Sequence, residues 1–509
     1  MKKNKLPFAA LIISGGIALA LTACGGLGKE RIGEGIQITL NPDGSATIKE
    51  NGPNDRNGSS HVEVSENTIT ITRAGRYRVQ GTWEEGQLCV DAGKNDEVVL
   101  VLAGVELTNM EDAAIYVENA KTTLLYLEED TVNQVQSGKK ATLRELENSK
   151  GAIDLVDEDE LKEAEGAVIY AKDDLSIAGT GKLKVIGGIN NGIHTKNHLA
   201  VEGGELEVRS LNHGVKGKDS VTINGGSFLI FSGGDGIRSD DDSNEDCGKI
   251  AISGGSFLIH SRENGVRAKT ELAFSGGALK VAESYEGMEA NQIVISGGSI
   301  DINSSNDGIN ANGEEEMEEG LPNLVISGGQ VHVDAKGDGL DSNGNIYVEG
   351  GVTVIDGPES DKDGPLDYGH ENGGVCLISG GTVLAIGSSG MAETFGEDSS
   401  QCSFRYIFDT PYQAGSDIVI SDQEGKVLFG HQALKKGASV VFSSPELEEG
   451  ETYELEVDGE RVLITISRLA ERDGVCCDRV MAQYKENVPE KIQIFSNNFK
   501  IVLAIFVNL

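Results

Sequence analysis

Residues 225–239 read GGSFLIFSGGDGIRS, and the same pattern recurs as GGSFLIHSRENGVRA at residues 254–268 and GGSIDINSSNDGINA at residues 297–311. Each copy holds a Gly-Gly pair, an alternating apolar segment, and a turn that ends in Gly and an apolar residue. The turn glycines are Gly192, Gly214, Gly236, Gly265, Gly287, Gly308 and Gly339. They are separated by 22, 22, 29, 22, 21 and 31 residues, so a unit of about 22 residues is lengthened twice, at 240–248 and 314–320. Self-similarity at such a period indicates a solenoid.

Within each unit the apolar residues alternate with period two, as Phe228 and Ile230 do around Leu229. This period is typical of a strand with one buried face. A second short strand follows each turn and a third precedes each Gly pair. Three short strands per unit predict an all-β protein built as a right-handed, single-stranded parallel β-helix. A stack of antiparallel hairpins is the alternative, and identical residues repeated at constant phase favour the helix.

The start and end of the repeat pattern set the domain boundaries. Residues 61–390 are predicted to form the β-helix, with a charged, helix-prone insertion at 139–165. Residues 391–467 have their own alternation and are predicted to form a small C-terminal β cap or domain, since a terminal rung exposes an apolar core. Residues 24–60 are interpreted as a linker, and residues 468–509 fit neither pattern.

The N-terminus carries an export signal. Basic residues precede an uncharged, mostly apolar run of about 16 residues and then Leu21-Thr22-Ala23-Cys24. Residues 1–23 are therefore predicted to be a lipoprotein signal peptide, with Cys24 as the lipidated residue. An uncleaved anchor helix is the alternative, but the run is short for a bilayer span. We expect a protein anchored by lipid on the extracellular face of the cell membrane.

Charge and composition exclude several classes of partner. The formal net charge of −39 argues against nucleic acid and anionic membranes. Aromatic residues make up 5% of the chain and Trp83 is its single Trp, which disfavours a sugar platform of stacked Trp. The cysteines match no zinc or redox motif. Carboxylates outside the cell, where calcium is plentiful, are a natural resource for cation binding.

Two columns of outward side chains follow the turns, at two and four residues past each turn glycine. Rungs stacked about 4.8 Å apart would align each column along the molecule. The basic members, predicted to bind carbohydrate, are His194, Lys196, Lys216, Lys218, Arg238, Arg267 and Lys269. Further along, the columns turn acidic or amide, as at Glu289, Asn310 and Asp341. A basic stripe can pair with sugar carboxylates. Solvated surface, on which lysines discourage edge pairing, is the alternative.

The acidic end of these columns predicts a calcium site. Asp307 precedes Gly308, Asp338 precedes Gly339, and Asp341 follows Gly339 by two residues, so all three converge at one corner of two rungs. Carboxylate oxygens without His or Cys suit calcium. Further candidate ligands are Asn306, Glu286 and Glu289, and a second candidate cluster is Asp235, Asp240, Asp241, Asp242 and Asp246. Any single Asp-Gly is also explained as turn chemistry with Gly at positive φ.

Three stretches resemble a known family: residues 69–72 (ITIT) with Gly75, Tyr77 and Gly81 after them, residues 98–102 (VVLVL) with Gly104, and rungs such as residues 227–236. Over about residues 60–465 the chain is similar to the carbohydrate-binding domain-containing proteins, exported calcium-binding β-helices related in shape to pectate lyases. The resemblance implies a non-catalytic binder of acidic or cellulosic plant polysaccharide, such as polygalacturonate or cellulose, with calcium support. Calcium-dependent β-helix lyases also place an Asp in one rung and an Asp-Gly-x-Asp pair in the next.

A calcium-dependent lyase is the first alternative function. In the lyases that the chain resembles, a Lys lies two residues past the glycine in the rung after the calcium pair, and Leu366 is expected at that position here. Lys362 is misplaced and Lys216 lies several rungs away, so no base for proton abstraction is assigned. An adhesin or structural spacer that projects the cap is the second alternative, against which the basic columns argue.

Overall fold

The computed structural model describes residues 35–50, 60–154, 166–313 and 321–466. The first strands are β1 (Ile36–Leu40), β2 (Ala46–Glu50), β3 (Val62–Ser65), β4 (Thr68–Ile71), β5 (Gly75–Trp83), β6 (Gln87–Asp91), β7 (Glu97–Asn109), β8 (Ile115–Asn119), β9 (Thr122–Leu127) and β10 (Val132–Ser137). The helix α1 (Lys140–Asn148) follows β10.

The repeat region then forms β11 (Ala167–Ala171), β12 (Asp174–Gly179), β13 (Lys182–Gly187), β14 (Asn191–Thr195), β15 (His198–Val201), β16 (Glu205–Ser210), β17 (Val215–Gly217), β18 (Ser220–Ile223), β19 (Ser227–Ser232), β20 (Ile237–Ser239), β21 (Lys249–Ile252), β22 (Ser256–Ser261), β23 (Val266–Ala268) and β24 (Glu271–Phe274). It continues with β25 (Ala278–Glu283), β26 (Met288–Ala290), β27 (Gln292–Ile295), β28 (Ser299–Ser304), β29 (Ile309–Ala311), β30 (Asn323–Ile326), β31 (Gln330–Ala335), β32 (Leu340–Ser342), β33 (Asn345–Val348), β34 (Val352–Asp356), β35 (Leu366–Tyr368), β36 (Cys376–Ile378) and β37 (Thr382–Gly387). A short 3-10 helix (His370–Asn372) lies between β35 and β36. The last strands are β38 (Ser403–Tyr412), β39 (Asp417–Asp422), β40 (Val427–Gln432), β41 (Gly437–Ser443), β42 (Thr452–Val457) and β43 (Glu460–Thr465).

In the repeat region each strand pairs in parallel with the strand three places later in the chain, as β16 does with β19, β17 with β20 and β18 with β21. The result is three parallel stacks, and one strand of each stack together makes a rung. The first stack contains the strands that follow the turns and belongs to a sheet of 13 strands that ends at β35. The strands of the second stack precede the Gly pairs in the sequence, and the strands of the third stack follow them. This pairing confirms parallel stacking and excludes antiparallel hairpins in the repeat region.

The alternation of apolar residues determines which side chains are buried. In β22, Phe257 and Ile259 are buried, whereas Leu258 between them is half-buried on the outer face. Because rungs repeat in register, like residues stack on like: Phe228 pairs with Phe257, and their rings lie 4.7 Å apart. One continuous apolar core therefore runs along the stacks, from Ile36 to Val441.

The two kinds of glycine that recur in the repeat have different structural roles. The second glycine of each Gly pair has a positive φ, for example 100° at Gly226 and 98° at Gly255. The turn glycines do not, which corrects the expectation of positive φ there. A β-carbon on Gly236 would instead lie 2.5 Å from Ile259 Cγ2 and 2.6 Å from the carbonyl oxygen of Gly265. The turn glycines are thus needed because neighbouring rungs approach too closely for a side chain.

The linker prediction for residues 24–60 is wrong for residues 36–50. These form β1 and β2, and β1 pairs in parallel with β5. Alternation decides this too, because Ile36, Ile38 and Leu40 are buried. The signal peptide, Cys24 and the tail at 468–509 lie outside the described residues.

The C-terminal strands form two layers. β41 pairs antiparallel with both β37, the last strand of the third stack, and β38. A separate sheet in the order β40-β39-β42-β43 packs on this layer through residues such as Ile418, Phe442 and Leu455. Helix α1 lies within the predicted insertion, where Leu143 and Leu146 pack with Phe231. None of the helices in the described ranges is both long and apolar enough to cross a membrane.

Candidate functional site

The column two residues past each turn glycine is a continuous ladder on the outer face of the first stack. Paired in register, in order, are Tyr116, Tyr170, His194, Lys216, Arg238, Arg267, Glu289, Asn310, Asp341 and Asp367. The structure thus confirms the alignment predicted for the first column, from His194 to Asp341. The ladder changes from aromatic to basic and then to acidic along the molecule.

The basic part of the ladder is neutralised by carboxylates. Lys216 Nζ lies 2.8 Å from Asp240 Oδ2, and Arg267 Nε lies 3.0 Å from Glu289 Oε2. Arg238 pairs with Asp235 at 2.6 Å and with Asp240 at 3.0 Å. Three cations therefore face three carboxylates, so this stretch does not present a net positive charge.

The remaining predicted carbohydrate-binding residues have different surroundings. His194 is buried, with its ring 5.3 Å from that of Tyr170, so its side chain does not face solvent as expected. Lys218 is exposed, whereas Lys196 and Lys269 are half-buried. The three predicted lysines of the second column are thus more exposed than His194.

In five of the turns the residue before the turn glycine caps the next rung. The side chains of Asn191, His213 and Asp235 accept hydrogen bonds from the backbone N–H groups of His213, Asp235 and Asn264, at 3.2, 3.0 and 3.0 Å. Asp307 Oδ1 accepts the N–H of Asp338 at 2.8 Å, and Asp338 Oδ1 accepts that of Gly364 at 2.6 Å. Capping therefore occupies one oxygen of Asp307 and one of Asp338, and the second oxygen of each carboxylate takes no part in it.

Asp307, Asp338 and Asp341 form a compact carboxylate cluster. One oxygen from each lies within 4.8 Å of the others. Burial, followed by repulsion from neighbouring carboxylates, raises the pKa of Asp338 to about 7 and that of Asp341 to about 8. Burial also raises the pKa of Asp307. These groups repel one another when ionised, so the cluster favours either protons or a cation.

Asn310 is a member of this site that the sequence did not identify as a ligand. Its side chain is 6% exposed, and its Oδ1 has no hydrogen-bond partner among the described residues. Its Nδ2 donates to Glu286 Oε1 at 3.3 Å. A buried carbonyl oxygen without a donor costs free energy unless something else binds it. The ladder places Asn310 directly beside Asp341, where its oxygen can serve a hard cation.

Two predicted additional ligands surround the same cluster. Asn306 Nδ2 donates to Asp307 Oδ2 at 3.0 Å. Glu286 is buried, and burial together with the charges of Glu289 and Asp307 raises its pKa to about 7. The donor set is thus carboxylate and amide oxygen, which fits calcium better than zinc or copper.

The second predicted cluster is divided between different environments. Asp235 and Asp240 bind Arg238, and Lys216 and Arg238 hold the pKa of Asp240 below its ordinary value although burial alone would raise it. Asp241 accepts hydrogen bonds from Ser243 and lies near Asp219 and Cys247. Asp242 and Asp246 are exposed. Basic partners already balance Asp235 and Asp240, so they need no metal ion.

The position expected for a lyase base is shifted by one residue. Leu366 pairs with Leu340 and is buried, while Asp367 pairs with Asp341 on the outer face. Pro365 takes the place of the turn glycine, because its carbonyl accepts the N–H of Leu340 as the turn glycines do elsewhere. The assignment of Leu366 was therefore wrong, and an acid occupies the position. Lys216 is five ladder steps from Asp341, or about 24 Å at about 4.8 Å per step.

Comparisons with known proteins point to one family. A model of the carbohydrate-binding domain-containing protein family matches residues 65–323. A carbohydrate-binding domain-containing protein of Acetivibrio thermocellus is 34% identical over 213 residues, which cover 41% of this chain and 66% of that protein. The match thus spans just under two thirds of the relative. A solved structure described as a polysaccharide lyase-like protein from C. thermocellum is 28% identical, with a TM-score of 0.39, covering 54% of this chain and 96% of that chain.

Proposed function

The chain belongs to the carbohydrate-binding domain-containing protein family, and from this premise we propose that it binds polysaccharide without catalysis and with the help of calcium. The proposed ligand is an acidic or cellulosic plant polysaccharide. The proposal includes export and a lipid anchor on Cys24 at the outer face of the cell membrane. The rungs are proposed to close into a right-handed, single-stranded β-helix that carries the site on the first stack.

One observation supports the calcium part most directly. Asp307, Asp338 and Asp341 bring carboxylate oxygens within 4.8 Å of one another, and the buried Asn310 Oδ1 beside them has no partner in the described chain. Backbone N–H groups fix Asp307 and Asp338, so the ligand positions are set before a cation binds. We propose Asp307, Asp338, Asp341 and Asn310 as protein ligands, with Glu286 and Asn306 next to them.

The charges of the chain explain why calcium would matter for an acidic sugar. A polyuronate that approaches a protein of net charge −39 meets repulsion, screened over about 10 Å at ordinary salt. Lys216, Arg238 and Arg267 already have carboxylate partners and provide little compensation. A bound calcium ion supplies local positive charge that sugar carboxylates can share. Lys196, Lys218 and Lys269 of the second column are proposed as further contacts to the sugar.

A lyase receives less support from this site. The outer position in the rung after Asp341 holds Asp367, which cannot act as the Lys base of the lyases. An adhesin or spacer remains distinguishable by experiment, because it would bind neither polymer.

Isothermal titration of the chain without residues 1–23 tests the proposal. Polygalacturonate and a soluble glucan are titrated with calcium and with chelator, and absorbance of unsaturated uronate is followed in the same samples. We expect calcium-dependent heat with polygalacturonate and no new absorbance. The double variant Asp307→Asn, Asp338→Asn should lose the calcium-dependent part of the binding heat. The control Asp409→Asn, at an exposed site on β38, should keep it.

Three results would contradict parts of the proposal. Rising absorbance would make the protein a lyase. Heat with neither polymer would favour the spacer. Polygalacturonate affinity that is unchanged by chelator would refute calcium bridging while leaving carbohydrate binding intact.

The lipid anchor has its own test. Cells that express the full chain are fed an alkyne fatty acid, and the protein is examined for the label in the membrane fraction. Label on the wild type and its loss in Cys24→Ser would support the anchor. Equal labelling of both would reject Cys24 as the site.

A further inference from the structure

A second group of buried charges joins the third stack to the C-terminal sheet. Asp356, at the end of β34, is 1% exposed. Its Oδ2 lies 3.2 Å from His332 Nε2 on β31 and 2.8 Å from His431 Nε2 on β40. Its Oδ1 accepts the backbone N–H of Leu434, just after β40, at 2.8 Å. One carboxylate thus holds both a rung and the segment that follows β40.

The other nitrogen of His332 also faces a carboxylate. His332 Nδ1 lies 2.9 Å from Asp301 Oδ1 on β28. A neutral imidazole has a single N–H, so it can donate to Asp301 or to Asp356 but not to both. Both contacts are hydrogen bonds only when His332 is an imidazolium. The geometry therefore depends on the protonation state of His332.

The surrounding charges are balanced around this histidine. Lys280 on β25 binds Asp301 at 2.7 Å, and Lys435 binds Asp334 on β31 at 2.8 Å. Lys435 also donates to the carbonyl oxygen of Ala335. Tyr412 of β38 packs near Asp356, and burial followed by the charge of Asp356 raises its pKa. With His332 charged, Lys280, His332 and Lys435 oppose Asp301, Asp334 and Asp356, and His431 also lies against Asp356.

We propose that this cluster is a pH-sensitive latch, which holds residues 434–436 on the third stack while His332 is protonated and releases them when His332 loses its proton. Deprotonation would leave Asp301 or Asp356 facing an imidazole lone pair in a buried site. A buried carboxylate oxygen that faces a lone pair instead of an N–H destabilises this arrangement. Ala433, just before this segment, is buried in the apolar core of the C-terminal layers, so the release is confined to residues 434–436.

The direction of the pH dependence follows from the contacts. Burial alone would lower the pKa of His332, but its hydrogen bonds to Asp301 and Asp356 raise it to about 9. The stabilisation of the latch by protonated His332 is therefore complete below about pH 6.5, the ordinary pKa of His. It is lost as the pH rises through about 9. Against the effect of burial, His332 lowers the pKa of Asp301 to about 2 and also lowers that of Asp356, so both remain ionised down to acidic pH.

Hydrogen exchange of the full chain without residues 1–23 tests the latch, because the amide of Leu434 is itself part of it. Protection of a peptide spanning residues 427–436 is measured at pH 6.5 and pH 9.5 and corrected for the intrinsic rate. We expect protection to fall about tenfold or more in the wild type. His332→Gln should have low protection at both values, and Asp301→Asn should move the transition to lower pH.

The controls separate the latch from general unfolding. Amides of β33 must remain protected in His332→Gln, which shows that the rungs are intact. His198→Gln removes a half-buried histidine from β15. It should show the same fall in protection between pH 6.5 and pH 9.5 as the wild type. Protection that does not change with pH in the wild type, or an unchanged step in His332→Gln, would overturn the proposal.

Discussion

At the scale of single residues, the proposed cation site depends most on Asp341. It lies on the outer face of the first stack, with Asp307, Asp338, Asp367 and Glu286 as charged neighbours. Burial and these charges raise its pKa to about 8, above the value of about 7 for Asp338. The residue that is most costly to ionise is also the one that a cation would stabilise most.

The substitution Asp341→Asn tests this role. It keeps the size of the side chain but removes a negative ligand, so we expect calcium affinity to fall about tenfold or more. The protein without calcium should unfold at the same or a higher temperature, because repulsion with Asp307 and Asp338 is relieved. Titration calorimetry and thermal unfolding measure the two effects. Wild-type calcium affinity in the variant would remove Asp341 from the site.

Calcium binding should also depend on pH in a defined direction. Asp338 and Asp341 have pKa values of about 7 and about 8, so calcium must displace protons from them below these values. Affinity should therefore rise from pH 5.5 to pH 8.5, with proton release greatest at the acidic end. Calorimetry in buffers of different ionisation enthalpy measures the released protons. Affinity that is constant over this range would place calcium elsewhere.

At the scale of the element, the rung follows directly from the sequence. Alternation and the turn glycines predict which residue of each strand is buried, and Phe257, Ile259 and Leu279 are all inside. The outer ladder can be predicted as well, because strands that pair in register place equivalent positions of successive rungs side by side. The ion pairs of Arg238 were not predictable, since they depend on side-chain directions from three positions. Nor was the offset at Leu366, because Pro365 occupies the place of the expected glycine.

Removal of one stacked ring should destabilise the rungs strongly. Phe257→Ala leaves a cavity beside Phe228 in the core, so we expect a loss of about 3–5 kcal/mol in the free energy of unfolding. Leu258→Ala, the next residue on the outer face of the same strand, should cost about 1.5 kcal/mol or less. Denaturant titrations of both variants give the comparison. Equal losses would mean that the alternation does not define the core.

At the scale of the whole molecule, the net charge of −39 sets the conditions of binding. With chelator present, a polyuronate should bind more tightly as sodium chloride rises from about 0.02 to about 0.5 M, because salt screens the repulsion. A neutral glucan should show little change. If polyuronate affinity instead falls with salt, the lysines of the second column dominate over the net charge.

The antiparallel strands at the ends of the stacks bear on how these molecules behave when crowded. β2 and β3 pair antiparallel with the first strands of two stacks, and β41 does the same with the last strand of the third. A second copy could extend a parallel stack only by matching its strand direction at an open edge, and these strands present the opposite direction. At these three edges the arrangement therefore works against stacking of one copy on another. A concentrated solution of the protein should therefore contain few copies joined through these edges.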